Sequence, residues 1–303
     1  MSYIYLLITV FLFSTLEVTG KLIGPNISPF AVTIYRFMLG GIFILPFALY
    51  QIKKTKLKLS WQDFGKLSIP GIVNVTISML FLQLAIFYGE ASISAILISA
   101  NPIFVAIFAS MILKEKLSFS KIIGLIIGLI GVILIIGAEA NSGSTAKDPF
   151  LGILFGCISS ITFGLYTVLS KKYIKQYGNM VTNSFAFLIG SVILLLVSFI
   201  FGFQIEFQPT PNNLIFLGYL GFFVSGLAYL TFFEGLKKVP TATGSMFFFL
   251  KPIIASILAF IFFQEQLSHL QLLGIFIVLF GLNYNSIISK LPIGGVFAKT
   301  KKI

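Results

Sequence analysis

Ten apolar runs, each close to the roughly 20 residues that carry a helix across about 30 Å of hydrocarbon, constrain this chain more than any other feature. They cover 3–22, 29–50, 67–88, 92–113 and 120–137, then 150–170, 180–202, 212–234, 241–263 and 268–288. Polar or glycine/proline breaks separate them, among them Gly24-Pro25-Asn26, the lysines from Lys53 to Lys58, and Lys237-Lys238. The runs are continuous and do not alternate with period two, which selects helices over a β-barrel. Composition agrees: 57% of the residues are hydrophobic and 10% charged, against roughly 25% charged in soluble domains. Such a chain cannot clothe a soluble globule in polar surface. The first run is too long for a signal peptide, carries Glu17, and lacks a basic start and a small-residue cleavage site. The expected fold class is an all-α polytopic membrane protein with ten transmembrane helices.

The formal charge of +12 first suggests nucleic acid, but its distribution points to the bilayer. With a cytoplasmic N-terminus, the inside loops and tail hold 17 of the 21 basic residues, from Lys53 to Lys302. The outside keeps Lys147 and, at a helix end, Lys21, while Arg36 and Lys251 fall inside the apolar runs. That asymmetry places both termini in the cytoplasm. The expected location is the cell membrane, plasma or inner, as a multi-pass monomer with no nucleic-acid partner. One cysteine, Cys157, and one histidine, His269, provide neither a disulfide nor a Cys/His metal site. No cofactor and no metal are expected.

The chain matches itself when shifted by 150 residues. Lys21 falls on Lys171, Gly40 on Gly190, Gly71 on Gly221, Pro102 on Pro252, Glu115 on Glu265, Gly124 on Gly274 and Gly131 on Gly281. A constant offset argues for duplication. Each copy has five helices, an odd number, so the two must enter the membrane from opposite sides. The lysines follow: Lys114, Lys116 and Lys121 become Gln264, Gln266 and Gln271. Inverted repeats suit an alternating-access carrier with its site near the midplane. The expected organisation is a repeat over 1–137, a polar link over 138–149, a second repeat over 150–288 and a basic cytoplasmic tail over 289–303.

Short motifs sharpen this reading. They are Arg36-Phe37, Asn101-Pro102 followed by Lys114-Glu115-Lys116-Leu117, and Gly124 with Gly131. Lys251-Pro252, Gln264-Glu265-Gln266-Leu267 and Gly274 with Gly281 repeat the pattern. On these residues the chain resembles the EamA family of the drug/metabolite transporter superfamily, in its ten-helix form with two EamA repeats. The resemblance implies a secondary carrier of small metabolites, often an exporter of amino acids or related compounds. It does not name a substrate.

Ionisable groups inside a membrane are costly and therefore informative. Lys251 lies about ten residues into the ninth run, hence roughly 15 Å deep. An ammonium there can hold a carboxylate or phosphate. The structural reading is a lysine held by a carboxylate or by Asn101. Glu17 and Arg36 sit at similar depth in the outer half; a structural ion pair, a gate and a proton-coupling role for Glu17 all remain open, as does pairing of Glu17 with Lys21. Tyr35, Gln83, Asn101, Tyr166, Asn183 and Tyr229 are candidates to line the same cavity, although helix-to-helix hydrogen bonding explains any one of them. None of the four charges Glu17, Arg36, Glu234 and Lys251 recurs at the repeat offset. Glu115 and Glu265 do recur and read as structural. Gly152, Gly156, Ser160 and Gly164 form a close-packing stripe.

The function expected is secondary transport of small, carboxylate-bearing metabolites by alternating access, with proton or ion coupling left open. The alternative is a flippase or carrier for a lipid-linked or phosphorylated metabolite. An ATP-driven pump lacks its phosphate loop, GxxxxGK[ST]. An enzyme is not expected: one histidine cannot provide HExxH, and no catalytic residue is assigned.

Overall fold

The computed structural model describes residues 1–23, 27–89, 94, 97–137, 147–263 and 269–290. Within them the secondary structure is helical, apart from one antiparallel bridge between Ile27 and Phe207. The helices are α1 (Ser2–Ile23), α2 (Pro29–Thr55), α3 (Trp61–Tyr88), α4 (Asn101–Ile112, with 97–99 helical before it) and α5 (Phe119–Gly137). The second half has α6 (Pro149–Tyr177), α7 (Asn179–Ile200), α8 (Pro211–Leu236), α9 (241–263) and α10 (His269–Lys290). By length and composition α2, α3, α6, α7 and α8 can each cross a membrane; the others contribute shorter apolar helices.

Several helices outrun their apolar stretches. The second ends at Thr55 and the sixth at Tyr177, beyond the expected 50 and 170. Lysine is a good helix former and lays its stem along apolar surface, so the helix continues past the hydrocarbon. The third begins early, at Trp61, because Ser60 and Asp63 form a capping box: Asp63 Oδ2 accepts from Ser60 N at 2.9 Å. At the repeat-equivalent position Thr210 caps α8 by accepting from Asn213 N at 3.3 Å.

The packing respects the 150-residue exchange. The first helix packs on α8 and α9, and its equivalent α6 packs on α3 and α4. Likewise α2 meets α8 where α7 meets α3. The pairs α2 with α7 and α5 with α10 map onto themselves. Glycines mark the closest approaches. A Cβ on Gly124 would stand 2.8 Å from Gly281 O, and one on Gly131 would stand 2.8 Å from Gly274 O. Those two contacts are one contact under the exchange, and they show α5 and α10 running antiparallel. The same holds for Gly71 against Gly190 and Gly221 against α2 around Leu39 and Arg36. The stripe on α6 is confirmed as packing: Gly152 faces Gly89, Gly156 faces Leu97 and Gly164 faces Phe104.

Departures from regular winding also come in equivalent pairs. Wide π-turns occupy Ile72–Met79 in α3 and Leu220–Leu227 in α8. Such a turn adds a residue and so re-aims the side chains that follow. Pro102 lies at the start of the regular part of α4, and Pro252 sits in α9 just after a 3₁₀ turn over Met246–Phe249. A proline cannot donate to the carbonyl four residues earlier, which strips Ile98 O and Phe248 O of their usual helical partners.

Candidate functional site

Ile98 and Phe248 both face one cavity, an empty space of about 350 Å³ whose other lining residues are Phe13, Leu16, Met79, Leu82, Phe163, Tyr229 and Lys251. The lining comes from α1, α3 and α4 and from their equivalents α6, α8 and α9. Six of these residues form three exchange pairs: Phe13 with Phe163, Met79 with Tyr229, and Ile98 with Phe248. A cavity that takes both members of three pairs straddles the axis relating the repeats.

The wall is an aromatic collar. Phe13 meets Tyr229 edge-on at 5.1 Å between ring centroids and stacks on Phe248 at 5.7 Å. Phe163 meets Phe248 edge-on at 5.5 Å. The two contacts of Phe13 tie the first repeat to the second in the preferred geometries of aromatic pairs. Among the described residues the lone charge in the lining is Lys251, 5% exposed. Ser14 Oγ donates to its carbonyl at 3.2 Å, fixing α1 against the start of the regular part of α9.

Of the residues singled out in the sequence, Lys251 and Tyr229 line the cavity. Tyr166 and Asn183 stand behind it: the Tyr166 hydroxyl donates to Asn183 Oδ1 at 3.1 Å, and the Tyr166 ring lies 5.9 Å from that of Tyr229. Asn183 Nδ2 in turn donates to Asn179 Oδ1 at 2.6 Å. Arg36 is 1% exposed and sits on the Phe37 ring at 4.8 Å; Phe37 packs edge-on against Tyr229 at 5.7 Å. Asn101, the exchange partner of Lys251, is fully buried, and its Nδ2 donates to Ile98 O at 2.6 Å. It thereby satisfies the carbonyl that Pro102 orphans. Gln83 is half-buried next to Leu82 and outside the lining. Tyr35 packs on Phe207 at 5.3 Å, beside the Ile27–Phe207 bridge, away from the collar. Glu17 lies in α1, but its side chain is outside the described part.

No role was expected of the phenylalanines from sequence, yet Phe13, Phe163 and Phe248 build the collar. Their signal was the recurrence of Phe13 at position 163. Glu115, read from its recurrence as structural, makes contacts across the repeats in the connection after α4. Glu115 Oε2 accepts from Thr241 N at 2.7 Å, and Glu115 Oε1 accepts from Lys171 Nζ at 3.3 Å.

The comparisons agree with this architecture. A sequence model described as the EamA-like transporter family matches the chain twice, over residues 1–137 and 150–286. An uncharacterized transporter of Clostridium kluyveri is 36% identical over 290 residues, covering 94% of this chain and 93% of its own. An uncharacterized transporter of Archaeoglobus fulgidus is 28% identical over 83% of this chain and 89% of its own. A WAT1-related chloroplastic protein of Arabidopsis thaliana is 25% identical over 87% of this chain and 64% of its own. A solved crystal structure matches the fold with a TM-score of 0.78 at 18% identity, over 95% of this chain and 97% of that one.

Proposed function

Because the chain belongs to the EamA-like transporter family and is thus a membrane transporter of small molecules, we propose that it carries small amphipathic carboxylates, amino acids or close relatives, by alternating access through the cavity on the repeat axis. The observation that carries this reading is Lys251 as the charged member of an aromatic collar built by both repeats. The ammonium supplies an anion partner where little water competes, and the rings supply an apolar surface for the rest of the molecule. Tyr229 adds its ring to the lining. Arg36, Tyr166 and Asn183 support the collar from behind, with Glu17 and Arg36 assigned to the outer wall and Asn101 to the mouth of α4.

Alternating access follows from the exchange of repeats. A conformation closed at one end has a counterpart, with the repeats' conformations swapped, closed at the other. The site lies on the axis and is common to both. We place both termini in the cytoplasm, on the lysine bias. A lipid-linked or phosphorylated substrate is the competing reading; the apolar, aromatic character of the collar favours the free carboxylate.

A thermal-shift screen of the purified protein tests the substrate class. The panel is amino acids, the matching amines lacking the carboxylate, nucleosides and phosphorylated sugars. A ligand at a hundred times its dissociation constant adds about 2.7 kcal/mol to the folded state. At about 2–4 °C per kcal/mol that is a rise of roughly 5–10 °C. Carboxylates with apolar side chains are expected to give it and their amines to give none. Stabilisation by amines and carboxylates alike, or by sugar phosphates alone, would overturn the carboxylate reading.

A further inference from the structure

The end of the molecule holding Lys114–Lys121 is shut in this structure. Toward that end, Ala106 of α4 is buried in one apolar cluster with Ala242, Met246 and Phe249 of α9. Beyond that apolar plug lies one polar knot. Glu115, in the connection from α4 to α5, takes Thr241 N at 2.7 Å and Thr241 Oγ1 at 2.5 Å. It also takes Lys171 Nζ at 3.3 Å, and Lys171 donates onward to Val239 O at 2.9 Å. Glu115 belongs to the first repeat; Lys171, Val239 and Thr241 belong to the second. The ion pairs Lys66–Asp63 and Lys237–Glu234 are local, three residues apart. In the knot, Glu115 ties the two halves together, and the Lys171 and Glu115 side chains are only 13% and 19% exposed.

The chemistry is that of a cap supplied from outside the helix. Pro240 precedes α9 and offers no side-chain acceptor to its first turn. The Glu115 carboxylate takes that part, meeting the unpaired N–H of Thr241 and the positive end of the helix dipole. Opening the cavity toward this end must separate α9 from α4, and so must break these bonds.

We propose that Glu115 is the latch of the lysine-rich end: a positioning residue that holds α9 and Lys171 across the repeat boundary, closes the cavity on that side, and sets the balance between the two access states. This rests on the transport reading of the cavity above.

The test uses full-length protein in oriented membrane vesicles, with Cys157→Ser as background and a membrane-impermeant maleimide as probe. Ala106→Cys reports the plug and Leu16→Cys reports the cavity wall. With Glu115 intact, the plug thiol is expected to be protected from the lysine-rich side. Glu115→Leu should raise its labelling rate at least tenfold from that side, lower the labelling of the wall thiol from the opposite side, and lower the melting temperature by a few degrees, as the loss of a helix cap does. Thr241→Val, which removes only the hydroxyl bond, should give a smaller change of the same sign. If Glu115→Leu leaves the plug thiol protected while the wall thiol reacts normally, the latch is wrong and the transport site stands. Faster labelling of both thiols from both sides makes Glu115 a simple structural tie and also overturns the latch. No labelling of the wall thiol from either side in any variant would overturn the cavity reading, and the latch with it.

Discussion

Lys251→Met is expected to abolish ligand-induced stabilisation and transport while the protein still folds. Methionine keeps the length and apolar volume of the side chain and removes only the charge. A hydrogen bond to a charged group contributes about 1.5–3 kcal/mol, so the carboxylate should bind roughly 10–100-fold more weakly. Methionine also removes the desolvation cost that a buried ammonium carries. Lys251→Arg should retain partial function, since a planar fork replaces a compact ammonium. The measurement pairs ligand flux in proteoliposomes with the melting temperature in detergent. Full transport by Lys251→Met would end the anion-site account. Lost transport with an equal loss of stability would mean that the lysine holds the fold.

The largest stability effect is expected from Gly71→Val. A Cβ at Gly71 would stand 2.3 Å from Ala186 O and 3.2 Å from Gly190 N. Both neighbours are backbone of α7 and cannot rotate away. Overpacking costs about 1–3 kcal/mol even where side chains can yield, so a fall of roughly 5–10 °C or a loss of folded protein is expected. Gly218→Ala is the control, because nothing lies within 4 Å of the place its methyl group would take. It should be neutral or stabilising, as alanine is the better helix former. Equal behaviour of the two variants would show that the α3–α7 contact is looser than described.

Much of this was legible in the sequence because membrane helices announce themselves by length and the repeat by constant offset. Each apolar run corresponds to a helix among the described residues, displaced mainly where lysines or a capping box carry it past the hydrocarbon, as at Thr55, Tyr177 and Trp61. Gly124, Gly131, Gly274 and Gly281 were visible as a pattern, and they proved to be a single close contact counted twice. The site was less legible. Lys251 stood out because charge is rare in an apolar run. Polar type alone could not separate lining from support: Asn101 turns its amide to its own backbone, and Tyr35 packs on a loop. The collar escaped notice because 35 phenylalanines hide Phe13, Phe163 and Phe248 among many packing rings. Glu115 was read as structural because it recurs at 265, yet recurrence is what a device needed at both ends of a carrier would show.

The central claim is that one cavity, with Lys251 in its wall, opens alternately to both sides of the membrane. Labelling of Leu16→Cys, in the wall of the same cavity with Lys251 intact, tests it most directly in the Cys157→Ser background, using a membrane-impermeant methanethiosulfonate applied to either face of sealed vesicles. The account predicts reaction from both faces, slowed from both by the carboxylate that stabilises the unmodified protein. Reaction from one face alone, or reaction indifferent to that ligand, would contradict it.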